Sequence, residues 1–150
     1  MRKLDYSELT SNLLIGRTPH RKDYALLQEI GITLVINMRA EWPSTVLSRN
    51  KTIAEIWMPS VDNPLIPFNQ EKLYTVAKTA VEEIDSGGRV YVYCRKGRHR
   101  SVVMVSAILL LQGLSLGETS KLITSKRRIA DLEARQVRIA IRKFEQSHRR

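Results

Sequence analysis

Residues Val90–Leu111, VYVYCRKGRHRSVVMVSAILLL, place the only cysteine of a 150-residue chain between two apolar runs. Four cations, Arg95, Lys96, Arg98 and Arg100, crowd the six positions after it. The first run, Arg89–Tyr93, is rich in β-branched and aromatic residues, the composition of a buried strand. The second, Ser101–Gln112, has the length and apolarity of a buried helix and stops at Gly113, a residue suited to a helix C-cap. Strand, short polar loop and buried helix in that order form one unit of an α/β fold, with Cys94 at the carboxyl end of the strand.

The flanks extend the pattern. Asn12–Gly16 and Thr33–Asn37 read as short strands with a helical segment, His20–Ile30, between them. Ile53–Met58 is a further candidate strand, reached through the loop Arg39–Lys51 with its Trp42 and Pro43. In VDNPLIPF, Val61–Phe68, the residues Asp62, Pro64 and Pro67 argue for a shaped loop rather than regular structure. Gln70–Ile84 carries Leu73, Val76, Ala77, Ala80, Val81 and Ile84 at helical spacing and ends at Ser86-Gly87-Gly88. Leu116–Thr124 and Leu132–Phe144 are two more helices around a basic loop, Ser125–Arg128. The spacing predicts an α/β fold: a central, mostly parallel sheet of about four to five strands flanked by helices, in one domain over residues 1–150.

The length suits one domain with a sizeable core, and the chain has no internal repeat, low-complexity tract or Pro/Gly/Ser-rich linker. Met1–Thr10 lacks the apolar stretch of a secretory signal, and the longest apolar run, Val102–Leu111, falls far short of the ~20 residues that span a bilayer. A soluble, cytoplasmic monomer is expected. A single cysteine excludes an intramolecular disulfide, and three scattered histidines, His20, His99 and His148, offer no metal-ligand spacing, so no cofactor is expected. The net charge of +10 is local. Residues 121–150 hold ten Lys/Arg against Asp131, Glu133 and Glu145, and residues 95–100 hold four more with no acid; the rest of the chain sums to −1.

In open α/β folds ligands bind beyond the carboxyl ends of the strands, where the loop Cys94–Arg100 lies. Its backbone N–H groups can curl into a nest, with the unpaired amides of the helix that begins near Ser101 aimed into the same concavity. Such a cup fits a tetrahedral oxyanion such as phosphate, sulfate or vanadate. Arg100 can grip two of its oxygens with a planar fork. A helix N-terminus and neighbouring cations draw a cysteine pKa from about 8.5 down to roughly 3.5–7.5, which makes Cys94 a candidate nucleophile toward phosphorus. Alone, the spacing favours a small buried thiol beside a solvated basic loop. The context favours the site, because Gly97 stands where the loop must turn and Arg100-Ser101 opens the helix.

From Tyr93 to Ser101 the chain reads Y-C-R-K-G-R-H-R-S, which resembles the H-C-x-x-G-x-x-R-S/T signature of the cysteine-dependent protein tyrosine phosphatase superfamily. The likeness is greatest to small dual-specificity phosphatases and their compact archaeal and bacterial relatives. It extends over most of the chain: NLLIGRTPHRKDYALLQEIGITLVINMRAE is similar to the family's opening strand, helix and strand, and TSKRRIA resembles the segment before its last helix. The resemblance implies hydrolysis of phosphate monoesters through a phosphocysteine, with no metal. Cys94 would be the nucleophile, Arg100 the phosphate clamp, and Ser101 the hydroxyl that hydrogen-bonds the departing thiolate. The backbone and side chains of Arg95, Lys96, Gly97, Arg98, His99 and Arg100 would bind phosphate or substrate. The family also places an acidic residue on a loop about thirty residues before the cysteine, and Asp62, 32 positions before Cys94, fits that role as general acid.

Two positions depart from the family pattern. Tyr93 replaces the histidine that orients the loop and tunes the thiol, so Cys94 is expected to be less acidic than in relatives. His99 stands where most members carry a small residue and is expected to be a bystander. Substrates implied are phosphotyrosine and phosphoserine/threonine in proteins. The cations at 95, 96 and 98 keep open a polyanionic, non-protein substrate: a phosphoinositide, phosphatidylglycerophosphate or an RNA 5′-phosphate. At 100° per residue, Arg135, Arg138, Arg142 and Arg149 share one face of the last helix, opposite Val137, Ala140, Ile141 and Phe144. That stripe is read as a solvated face, with docking of nucleic acid or anionic lipid less favoured. A non-catalytic phosphate-binding module is the alternative from another class, and an RNA-binding domain rests on net charge alone.

Overall fold

The computed structural model describes residues 3–43 and 52–148. Five strands form one sheet: β1 (Tyr6–Thr10), β2 (Leu13–Arg17), β3 (Leu34–Arg39), β4 (Ala54–Ser60) and β5 (Val90–Cys94). Five helices accompany them: α1 (Asp23–Glu29), α2 (Gln70–Asp85), α3 (Arg100–Leu111), α4 (Leu116–Lys126) and α5 (Arg135–Ser147). The strand order is β1-β2-β5-β3-β4; β2, β5, β3 and β4 run parallel, and β1 is added antiparallel at one edge. This is the expected α/β architecture. Among the described residues no helix is long and apolar enough to cross a membrane.

The position of β5 follows from its composition. All five residues of VYVYC are buried, as a strand covered on both faces requires. Alternation then sorts them. Val90, Val92 and Cys94 face the larger core, built with residues of α2, α3, α4 and α5, while Tyr91 and Tyr93 face the smaller cluster under α1. Because β2 connects through α1 to β3, and β4 through α2 to β5, the two crossovers lie on opposite faces, and the carboxyl end of β5 is the switch point where such sheets open a crevice. The thiol of Cys94 is directed there, on the side of α3. Every residue of α3 from Arg100 to Leu109 is buried, which explains an apolar sequence with little amphipathic preference.

Three local features differ from the expectations of spacing. Strand β1 was not foreseen, since YSELT places only Leu9 in the core and exposes Glu8, which pairs with Arg89 at 2.6 Å. Helix α1 begins at Asp23 rather than His20, because the Asp23 carboxylate accepts the His20 N–H (2.7 Å) and closes a turn there. Helix α5 begins at Arg135 rather than Leu132, because Asp131 Oδ1 accepts the N–H groups of Glu133 and Ala134 and shapes a turn of its own. Helix α4 opens with a capping box, Ser115 and Glu118 bonding each other's backbone N–H. The loop Arg39–Lys51 lies outside the described residues from 44 onward, as does Arg149.

Candidate active site

The loop between β5 and α3 is fixed from behind before it presents anything in front. Thr18 Oγ1 donates to the Cys94 carbonyl at 3.0 Å and closes the end of the strand. Gly97 has φ +69, and a side chain there would collide with the backbone of Gly16, so the turn requires glycine. Arg127, 3% exposed, donates from Nε to the Gly97 carbonyl (2.8 Å) and from Nη2 to the Lys96 carbonyl (2.9 Å), and it is held in turn by the Asp5 carboxylate and Ser7. Two carbonyls are thus drawn backward, and a peptide whose C=O points one way points its N–H the other. The forward amides of Arg98, His99 and Ser101 act on Cys94, the nest that an oxyanion or a thiolate needs.

Cys94 is 3% exposed. Burial alone would push its thiol up, but the hydroxyl of Ser101, 3.1 Å away, and the backbone N–H groups of Ser101, Arg98 and His99 outweigh that and hold it below the ordinary thiol value. Tyr93 faces the opposite side of the sheet, in the cluster with Tyr24 and Tyr91, where burial raises its phenol.

Arg100, 5% exposed, opens α3, and its fork is already oriented: Nη1 donates to Glu41 Oε1 (2.7 Å) and to the Ser60 carbonyl (3.0 Å), and Nη2 donates to Glu41 Oε2 (3.1 Å). The Arg100 guanidinium, chiefly through this bond, pushes Glu41 down to about 2. Glu41 is itself held by Arg39 Nε at 3.1 Å, and Arg39 lies over the Trp42 ring. Arg100 Nε is buried with no hydrogen-bond partner among the described residues. A spare donor on an arginine that lines a cavity suits an anionic oxygen.

Asp62 stands across the cavity. Its Oδ1 accepts from Gln136 Nε2 at 2.9 Å and its Oδ2 lies 3.0 Å from His99 Nδ1. Partial burial would raise this carboxyl, but the Gln136 and His99 bonds overcome it and leave the group below its ordinary value. His99, expected to be a bystander, is therefore in contact with the candidate acid, and its Nε2 lies 3.4 Å from Asp131 Oδ2.

A cavity of about 520 Å³ is lined by Ala40, Glu41, Val61, Asp62, Cys94 and the loop residues Arg95, Lys96, Arg98, His99 and Arg100. Every candidate catalytic or phosphate-binding residue thus lines one cavity except Ser101, which is fully buried behind the thiol, and Gly97, which shapes the turn. Arg98 Nη2 is 3.7 Å from Asp131, so this cation is partly engaged in a structural pair, whereas Arg95 and Lys96 are exposed on the rim. Arg135, Arg138 and Arg142 are exposed on α5, while Val137, Ala140, Ile141 and Phe144 are buried.

Three polar residues of the site were not anticipated. Glu41 follows the carboxyl end of β3, the neighbour of β5, so a strand-end acid beside the thiol loop was a signal that could have been used. Arg127 was counted as one of a basic loop but is buried. Gln136 gives no sequence signal, since its role depends on a partner 74 residues away.

Comparison with known proteins agrees with this geometry. The family model described as "Dual specificity phosphatase, catalytic domain" matches residues 13–146. Dual specificity phosphatase 28 of Mus musculus is 29% identical over 129 residues, covering 84% of this chain and 76% of the mouse protein. The Homo sapiens protein of the same name is 31% identical over 108 residues, covering 70% of this chain and 58% of the human protein. Among solved structures, a mouse putative dual specificity phosphatase complexed with zinc tungstate superposes with a TM-score of 0.85 at 26% identity, over 97% of this chain and 89% of that one. The matched residues run from β2 through the thiol loop into α5, and this chain belongs to the dual specificity phosphatase family.

Proposed function

We propose that the chain hydrolyses phosphate monoesters, phosphotyrosine and phosphoserine/threonine in proteins foremost, through a phosphocysteine on Cys94. The observation that carries this is the convergence on one cavity of a thiol held below its ordinary pKa, loop amides directed at it, and the unpartnered Nε of Arg100. The phosphate occupies the cup on the amides of residues 95–100, with Arg100 compensating the charge that spreads over the equatorial oxygens. Cys94 thiolate forms the S–P bond as the P–O bond to the leaving group breaks. Asp62, protonated, gives its proton to the leaving oxygen. In the second step Asp62, now a carboxylate, takes a proton from water as that water attacks phosphorus, the S–P bond breaks, and the Ser101 hydroxyl donates to the departing thiolate. Entry of a phosphate dianion adds negative charge beside Asp62, which favours its protonated form at the moment it is needed.

A polyanionic, non-protein substrate is the second reading, favoured by one observation: Arg95, Lys96 and Arg98 all line the cavity and more than balance Glu41 and Asp62. The tungstate in the mouse relative is a tetrahedral oxyanion of the kind this cup would take. A lone reduced thiol as nucleophile suits the reducing cytosol, where we place the chain as a monomeric catalytic domain.

A phosphate-release panel tests the assignment, with an aryl phosphate, phosphotyrosine and phosphoserine/threonine peptides, a phosphoinositide, phosphatidylglycerophosphate and 5′-phosphorylated RNA. Cys94→Ser is expected to abolish release from every substrate turned over. Retained turnover removes Cys94 as nucleophile, and binding without release by the wild type leaves a non-catalytic phosphate-binding module.

A further inference from the structure

We propose that His99 is the positioning residue of the acid: its imidazole clasps the loop that carries Asp62 to the connection ahead of α5 and governs when that carboxyl holds a proton. This rests on Asp62 as general acid. The observation is a chain of contacts across three separate segments, Asp62 Oδ2 to His99 Nδ1 at 3.0 Å and His99 Nε2 to Asp131 Oδ2 at 3.4 Å.

Asp131 is built as a fixed post for this purpose. Its backbone N–H donates to the Arg98 carbonyl (3.1 Å), its Oδ1 accepts from the N–H groups of Glu133 and Ala134, and its Oδ2 faces the imidazole, with Arg98 Nη2 at 3.7 Å. A carboxylate on one ring nitrogen fixes the plane of an imidazole and aims the other nitrogen. Here the other nitrogen is aimed at Asp62. The other titratable and charged groups that line the cavity with His99 are Glu41 after β3 and Cys94, Arg95, Lys96, Arg98 and Arg100 of its own loop, and Gln136 of α5 reaches the far oxygen of the same Asp62.

Two donors, one on each oxygen, favour Asp62 as a carboxylate, and they outweigh the contrary effect of burial. A carboxylate is the form needed to receive a proton from water, and the wrong form for protonating a leaving group. The clasp therefore keeps the acid loop in register over the thiol while withholding its proton until a phosphate dianion shifts the balance. Gln136 alone would leave one oxygen free and the loop held at a single point. A small residue at position 99 would do the same.

The experiment is kcat/KM against pH for a series of aryl phosphates with leaving groups from good to poor, on wild type, His99→Ser, His99→Gln, Asp131→Asn and Asp62→Ala, with vanadate inhibition and a thermal melt for each. His99→Ser is expected to lose about tenfold or more on the poorest leaving group and under about threefold on the best. Its descending limb is expected to move to higher pH, because removing a donor raises the Asp62 carboxyl. His99→Gln, which keeps a donor, restores part of both effects, and Asp131→Asn reproduces them more weakly through the intact histidine. An equal loss across the series with an unmoved limb overturns the proposal, as does a matching loss of vanadate affinity, which would make His99 a phosphate ligand. If His99→Ser does not fold, His99→Gln and Asp131→Asn decide by the same two readouts. Should Asp62→Ala show the wild-type leaving-group dependence, the acid itself is misassigned; should Asp62→Ala steepen it and the His99 and Asp131 variants not, only the clasp fails.

Discussion

Glu41 grips Arg100 by both terminal nitrogens, at 2.7 and 3.1 Å, and leaves its buried Nε without a partner among the described residues. A guanidinium with five donors can serve a protein carboxylate and a phosphate at once, so the pair orients the clamp in advance rather than occupying it. Glu41→Gln is accordingly expected to lower kcat/KM about tenfold and to weaken vanadate inhibition in parallel. A rise in vanadate affinity would mean that Glu41 competes with phosphate for the arginine.

The same pair gives a pH signature. The Glu41 carboxyl is held at about 2 by Arg100, below its unperturbed 4.5, so its contribution to stability is present above pH 4.5 and is lost as pH falls toward 2. Denaturant titrations of wild type and Glu41→Gln are expected to differ at pH 6 and to converge near pH 2. The gap at pH 6 is expected to be modest, since Glu41 is nearly half exposed and solvent screens the pair.

A single cysteine makes the thiol easy to follow. Alkylation of Cys94 by iodoacetamide, read as a mass shift against pH, is expected to titrate below the ordinary thiol range, because the Ser101 and loop donors outweigh burial. Ser101→Ala removes the hydroxyl at 3.1 Å and is expected to move that midpoint up. It should also slow phosphocysteine hydrolysis more than its formation, seen as a larger burst in rapid-mixing kinetics.

Gly97→Ala tests the turn. A Cβ at φ +69 would meet the Gly16 backbone at 2.7 Å, and neither backbone segment can move without shifting a strand end. The loop must give way instead, and kcat/KM is expected to fall about 100-fold for a displacement on the order of 1 Å. Activity within threefold of wild type would show the loop to be more forgiving than its packing.

Arg127→Met tests the brace. The buried guanidinium serves two loop carbonyls, Asp5 and Ser7, and its loss is expected to cost about 2 kcal/mol in urea unfolding and to weaken vanadate inhibition. Asp5→Asn, which leaves the carbonyl bonds in place, should cost less.

The β5–loop–α3 unit was legible because its signals are local. Five strand-forming residues, a glycine forced to positive φ and an apolar helix all lie within 22 residues, and the placement of Cys94, Arg100 and Ser101 follows from position along that unit. Asp62 was reached only through the family resemblance, which places an acid about thirty residues before the cysteine, and it lines the same cavity as Cys94. Strand β1 was hidden because an antiparallel edge strand can be held with few apolar side chains: in YSELT only Leu9 is buried, and Ser7 serves Arg127 instead of the core. Glu41, Arg127 and Gln136 were hidden for another reason. Each acts on a group 30 to 74 residues away, and the hydropathy of a polar side chain carries no record of the partner it will meet. The contacts of His99 were hidden for the same cause: its neighbours in sequence are cations, while its neighbours in space are Asp62 and Asp131.

Asp5 and Arg127 are 122 residues apart in the chain and meet behind the thiol loop. A ribosome that has just released Gly97 has made the nucleophile but not the brace, which comes 30 residues later, and a chain broken off in between carries a cysteine with no cradle. A fragment that stops short of residue 127 lacks the guanidinium that holds the Gly97 and Lys96 carbonyls, so the cradle of the thiol depends on chain made well after the thiol itself.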